Sequence, residues 1–162
     1  MKKVLAVLGM TALILTACSD PQKEEMTQLQ KDVIAVHDEV MPKMSTIEDL
    51  KASLDGIITE KEADTANVDS VTITLAREQI AHLEEAHNGM MDWMAGFELP
   101  EKDAPVDETI EYLKGQKTSV TAMADQMKSA IEEATIFVKD NGGEVHENAE
   151  ASEEEHEHHH AH

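Results

Sequence analysis

The chain has 162 residues, a length that suits one domain. Its 34 acidic residues outweigh 13 basic ones, and a surface with a net charge of -21 repels nucleic-acid phosphates and anionic membrane surfaces. Aromatic residues make up 2% of the chain, too few for a typical sugar-binding platform or the core of a large β-sandwich.

Residues 1–17 read as a signal peptide. Lys2 and Lys3 form a basic start, and Val4 to Leu15 is an apolar run too short for a comfortable membrane span. The closing Leu15-Thr16-Ala17-Cys18 resembles the lipobox of bacterial lipoproteins. That resemblance implies that Cys18 becomes the mature N-terminus and carries the lipid anchor to the membrane. Cys18 is the only cysteine, so an intrachain disulfide is excluded. Ser19 follows it, which in the common sorting rule favours the outer membrane over the inner. Gln22-Lys23-Glu24-Glu25 resembles the short acidic export signal of some surface-exposed lipoproteins; a charged linker running into a first helical turn explains it equally well. Residues 18–24 are expected to form the lipidated tether. Without Lys2 and Lys3, 11 basic residues face 34 acidic ones, a net charge of -23.

Residues 25–143 are expected to form the folded domain. An apolar stripe runs through Met26, Leu29, Val33, Val36, Val40, Ile47, Leu50, Leu54 and Ile58 at helical spacing. Pro42 interrupts it, removing one amide donor and crowding the carbonyl of Asp38. The stripe resumes in phase, so the spacing predicts one helix kinked at Pro42. Asp64-Thr65 offers a turn and an N-cap. A second helix is predicted over 66–97, with Ile73, Ala76, Ile80, Leu83, His87, Met90 and Met94 on its inner face. Two prolines mark the loop Leu99 to Pro105. The third helix starts near Val106, carries Ile110, Leu113, Val120, Met127, Ile131, Ala134 and Val138, and ends at Asn141-Gly142-Gly143. No β-alternation of useful length is present. The fold class is therefore all-α: an antiparallel up-down-up three-helix bundle of long helices, about 45–60 Å in length at 1.5 Å per residue.

Two stretches share a skeleton. His37, Met41 and Met44 stand at i, i+4 and i+7, and so do His87, Met91 and Met94, with Met90 beside them. That spacing sets each group on one helix face. With the first turn centred near residue 63, His37 lies 26 residues before it and His87 lies 24 after, at similar heights. With the second turn near residue 102, Gly89 comes opposite Gly115, and Met44, His82 and Met123 share another level. Thioether sulfur with imidazole suits Cu(I) or Ag(I), and Met needs no deprotonation to ligate. Trp93 is placed to stack on a bound cation. The competing reading is core, since Met fills irregular gaps in helical bundles. A b-type haem with His and Met ligands is a third option, without the Cys-x-x-Cys-His of covalent attachment. Glu84-x-x-His87 has di-iron spacing, but a single copy is present. No phosphate loop, nucleophile elbow or triad spacing is visible, so no enzyme activity is expected.

Residues 144–162 hold seven acids and six of the nine histidines and read as a disordered tail. His156, His158, His159, His160 and His162 can bind zinc, nickel or copper(II) weakly; a plain solvated acidic tail is the other reading.

His37-Asp38-Glu39-Val40-Met41-Pro42-Lys43-Met44 and Met90-Met91-Asp92-Trp93-Met94-Ala95-Gly96-Phe97 resemble the two signature segments of a family of small bacterial lipoproteins. Members often carry the label "viral A-type inclusion protein". The resemblance spans most of the chain beyond the signal segment, and the His-rich tail stands outside it. It implies a helical lipoprotein of the bacterial cell envelope and implies no activity. Two functions are carried forward: a lipid-anchored bundle that buffers Cu(I), with the tail as a secondary collector, and an anchored acidic rod that docks another envelope protein through a helical face.

Overall fold

The computed structural model describes residues 20–66 and 68–145. The expected signal peptide, Cys18 and the histidines from His156 to His162 lie outside them. The described residues are helical, with no strand: α1 (Pro21–Val40), α2 (Lys43–Ala63), α3 (Ser70–Gly96) and α4 (Val106–Asp140).

Helix α1 begins inside the stretch read as tether. Asp20 accepts the amide of Gln22 at 3.1 Å, and Pro21 takes the first helical position, where an amide hydrogen is not needed. Gln22 reaches Asp107 of α4 at 2.6 Å and Glu25 meets Lys114 at 2.9 Å. The Gln22–Glu25 segment is thus an exposed first helical turn, tied to α4 by these two polar contacts.

Met41 and Pro42 separate α1 from α2, yet both keep right-handed helical dihedrals (φ -56, ψ -40 and φ -60, ψ -23). The Met41 amide donates to His37 at 3.0 Å and the Met44 amide donates to Met41 at 3.1 Å. Pro42 has no amide to offer Asp38, so the ladder drops one rung and tightens to a three-residue step.

Helix α3 starts at Ser70, four residues later than predicted. Asp69 is the cap: it accepts the Thr72 amide at 3.0 Å and the Thr72 hydroxyl at 2.7 Å, which holds its carboxyl below the usual value. Helix α4 ends as predicted. Gly142 has φ +78, the Gly143 amide donates to Val138 at 2.9 Å, and the Gly142 amide donates to Lys139 at 3.3 Å. These are the two reversed bonds of a Schellman cap.

Polar contacts give the relative directions. Along α1 and α4 they run in the same sense: Glu25 to Lys114, Asp32 to Lys117 at 2.7 Å, Glu39 to Lys128 at 2.6 Å. The Lys117 hydrogen bond, with Gln28 beside it, holds Asp32 below the usual carboxylate value. Against α3 the sense reverses. Lys51 of α2 meets Glu84 at 3.4 Å, Glu62 meets Arg77 at 2.8 Å, and His82 faces Glu133 of α4 at 3.8 Å.

The core follows the predicted stripes. Val33, Val40, Ile47, Leu50, Leu54, Leu83, Met90, Val120, Met127 and Val138 are all buried. Each aliphatic side chain taken fully out of water stabilises by about 1.5–3 kcal/mol. Ala86, Ala124 and Ala130 are buried beside them and let neighbouring helices approach closely. No helix of the described residues is long and apolar enough to cross a membrane.

Candidate metal centre

The two His/Met stretches lie on facing helices, but two turns out of the expected step. His37 on α1 meets Met94 on α3, with Nε2 and Sδ 3.1 Å apart. The count from residue 63 had set it level with His87. The connection actually spans residues 64–69, so its centre lies about three to four residues later. In an antiparallel pair that moves the partner by twice as much, about seven residues.

The second register differs as well. A Cβ on Gly89 would lie 3.1 Å from the Met123 sulfur, while Gly115 faces open space. The expected Gly89–Gly115 approach is therefore absent, and His82 sits opposite Glu133 and not beside Met123. The cause is the second connection. Tyr112 hydroxyl donates to the Glu98 carbonyl at 2.9 Å and accepts its amide at 3.0 Å. Glu98 thus stands level with the second turn of α4, and the chain from Leu99 to Pro105 must travel about two turns past the end of α3 before α4 starts.

His37 is set up by its neighbour. Its side chain is 25% exposed, and Nδ1 lies 2.8 Å from the Asp38 carboxylate. A carboxylate only accepts, so Nδ1 carries the hydrogen. In the neutral ring Nε2 then presents a lone pair to a thioether, which is itself only a weak acceptor. Two acceptors in close contact call for an electrophile between them: a proton on Nε2 or a soft cation. With ligand bonds of about 2.0 Å to nitrogen and 2.3 Å to sulfur, donors 3.1 Å apart subtend about 90° at a shared ion.

Aromatic rings wall this contact. Trp93 lies 6.0 Å from the His37 ring, stacks on Phe97 at 5.0 Å, and Phe97 stacks on Tyr112 at 6.3 Å. Trp93 Nε1 is buried without a hydrogen-bond partner among the described residues. Such a donor costs about 1–3 kcal/mol. The indole is held by packing, with its face within cation–π range of the histidine.

The other predicted residues divide. Met41 and Met44 are half-buried and pack against the core. Met90 is fully buried within it, and Met91 is 44% exposed. His87 is half-buried, with Nδ1 3.4 Å from the Asn88 side-chain oxygen. Asp38 and the Phe97–Tyr112 ladder were not singled out from sequence. The adjacency of His37 and Asp38 was the available signal for the first; the second joins residues fifteen apart across a loop and leaves no periodic trace.

A further polar group lies between α3 and α4. His82, Glu85, Gln126, Ser129, Ala130 and Glu133 line an open concavity of about 180 Å³, and the Ser129 hydroxyl donates to Glu133 at 2.9 Å. Among the described residues no three His, Cys, Asp or Glu side chains converge as a metal site would require. Comparisons of this chain with protein-family models, with curated proteins and with solved structures find no match.

Proposed function

We propose that this chain is a non-enzymatic lipoprotein of the bacterial cell envelope that binds Cu(I), or Ag(I), at the seam between α1 and α3. The observation that carries this reading is the 3.1 Å approach of His37 Nε2 to Met94 Sδ, with Nδ1 committed to Asp38. In this reading the fold is an up-down-up bundle, bent at Pro42, and the bend brings α1 to the C-terminal end of α3. His37 and Met94 are the first two ligands. Met41 and Met90, one turn inward on either helix, are the nearest candidates for a third. Trp93 covers the ion with its ring face. Lipid on Cys18 holds the bundle at the outer membrane, and the tail histidines gather zinc, nickel or copper(II) weakly.

Anaerobic titration of the chain from residue 18, with Cys18→Ser to remove the competing thiol, tests the reading. Cu(I) is partitioned against a chromogenic competitor while the fluorescence of the single tryptophan is followed. Binding should quench Trp93, and Met94→Leu and His37→Ala should each abolish the quench. Equal affinity and equal quench in wild type and both variants would end the proposal.

One observation favours the second function, docking of another envelope protein. Val71 is 67% exposed, Leu75 44% and Ile136 53%, all beyond the His82–Glu133 contact at one end of the molecule. Crosslinking in cells from a photoreactive residue at position 75 should recover a defined partner under this reading; self-contacts alone would count against it.

A further inference from the structure

We propose that the α1/α2–α3 seam holds two separate soft-cation sites related by an approximate two-fold: His37 with Met94, and His87 with Met44. The inference rests on the soft-metal reading of the first pair and adds a second site to it.

The two stretches share more than His and Met. Both read His-Asx-x-x-Met-x-x-Met, with Asp38 after His37 and Asn88 after His87. In both, the histidine Nδ1 faces the side-chain oxygen of the residue that follows, at 2.8 Å and 3.4 Å. Each ring is therefore turned the same way, and each leaves Nε2 for another partner.

The stretches also run antiparallel. The histidine that begins one must meet the methionine that ends the other, and His37 with Met94 is that meeting at one end. The opposite end is bracketed by Lys51 and Glu84, 3.4 Å apart. Met44 lies midway between His37 and Lys51. The midpoint on α3, between Met94 and Glu84, is Gly89, within the turn from His87 to Met91. Met44 and Lys51, seven apart, share the face of α2 that reaches α3, and His87, three past Glu84, shares the face of α3 that reaches α2. This register sets Met44 on the level of the turn from His87 to Met91, on the facing sides of α2 and α3, and a shared cation would draw the Met44 sulfur and the His87 ring together.

The sites differ in one respect. Asp38 is a carboxylate and Asn88 a neutral amide, and a carboxylate behind a ligating imidazole makes it the more basic donor. The His37 site should fill first, by a margin of about 10-fold or more.

The test is a silver titration of the chain from residue 18 carrying Cys18→Ser, followed by the methyl resonances of ¹³C-methyl-methionine. Because the tail contains no methionine, silver held there is silent. The expected result is two separable steps: Met94 moves in the first, Met44 and Met91 in the second. His87→Gln, or Met44→Leu as a volume-conserving check on folding, should remove the second step and leave the first intact. Movement of Met94 alone, up to a several-fold excess, would overturn the second site and spare the first. Concerted movement of Met94 and Met44 in one step, weakened by His87→Gln, would replace two sites by one joint site. No movement of any methyl would overturn both this inference and the function it rests on.

Discussion

Gly143→Ala is a sharp test of how α4 ends. A Cβ at that position would lie 2.7 Å from Val138 Cγ1, 3.2 Å from Ile57 Cδ1 and 3.3 Å from the Val138 carbonyl oxygen. Val138 is fully buried and β-branched, so it has little rotamer freedom with which to yield. The carbonyl is held by the Gly143 amide itself at 2.9 Å. Overpacking of this kind costs about 1–3 kcal/mol. The loss of unfolded-state freedom on replacing glycine offsets about 0.4–1 kcal/mol of that. A net loss of about 1–2 kcal/mol remains, a fall in melting temperature of roughly 3–8 °C for a domain of this size. Gly115→Ala is the control: it faces open space inside α4 and should stabilise by up to about 1 kcal/mol. Thermal unfolding followed by circular dichroism reads both. A Gly143→Ala protein that melts at or above wild type would refute the packing argument.

Three further outcomes are expected. Leu83, fully buried on α3, should destabilise by about 2–5 kcal/mol when replaced by alanine, measured by urea unfolding. Asp38→Ala should leave stability nearly unchanged and lower Cu(I) affinity by about 10–100-fold, because His37 loses the group that fixes its tautomer; unchanged affinity would remove Asp38 from the site. The Asp32 carboxyl is held below its ordinary value of 3.8 by Lys117 and Gln28, so its contribution to stability is present above that value and is lost as pH falls through the lower folded-state value. Carboxyl NMR should find its titration midpoint below 3.8 and returned upward in Lys117→Met; equal midpoints would refute the assignment.

The helical stripes were legible because burial repeats every three to four residues and each stripe is long. Thus Val33, Val40, Leu83, Leu113 and Val138 can be placed inside from spacing alone. The C-terminal cap at Asn141-Gly142-Gly143 was equally plain, whereas the aspartate of the loop at 99–105, which offers a cap in sequence, does not cap α4: Pro105 takes that position with no side-chain bond. The site was half legible. His and Met at i, i+4 and i+7 pointed to the two helices that meet at His37 and Met94, but which residue of one stretch meets which of the other depends on how the connections are laid. Asp69, not Asp64, caps α3, and both offer the same chemistry to a reader of sequence. That choice alone moved the partner of His37 from His87 to Met94. The second connection is bound by a tyrosine hydroxyl to a loop backbone, a long-range bond that no periodicity encodes.

The way α1 is held has a mechanical consequence. From Pro21 to about Ile34 it extends past the end of α3, since His37 already stands level with Met94 and α3 stops at Gly96. Its cross-helix salt bridges run to α4, at Lys114, Lys117 and Lys128. Tension on the N-terminus would therefore meet a graded series of fasteners, first Gln22 with Asp107 and then each ion pair in turn, before reaching the weak rung at Pro42. Beyond that rung the core made by α2, α3 and α4 can stay shut. In native-state hydrogen exchange the amides of α1 should open as one unit at lower free energy than those of α3. A soft cation bridging His37 and Met94 would act as a rivet at the inner end of that unit, slowing its exchange and leaving that of α3 unchanged.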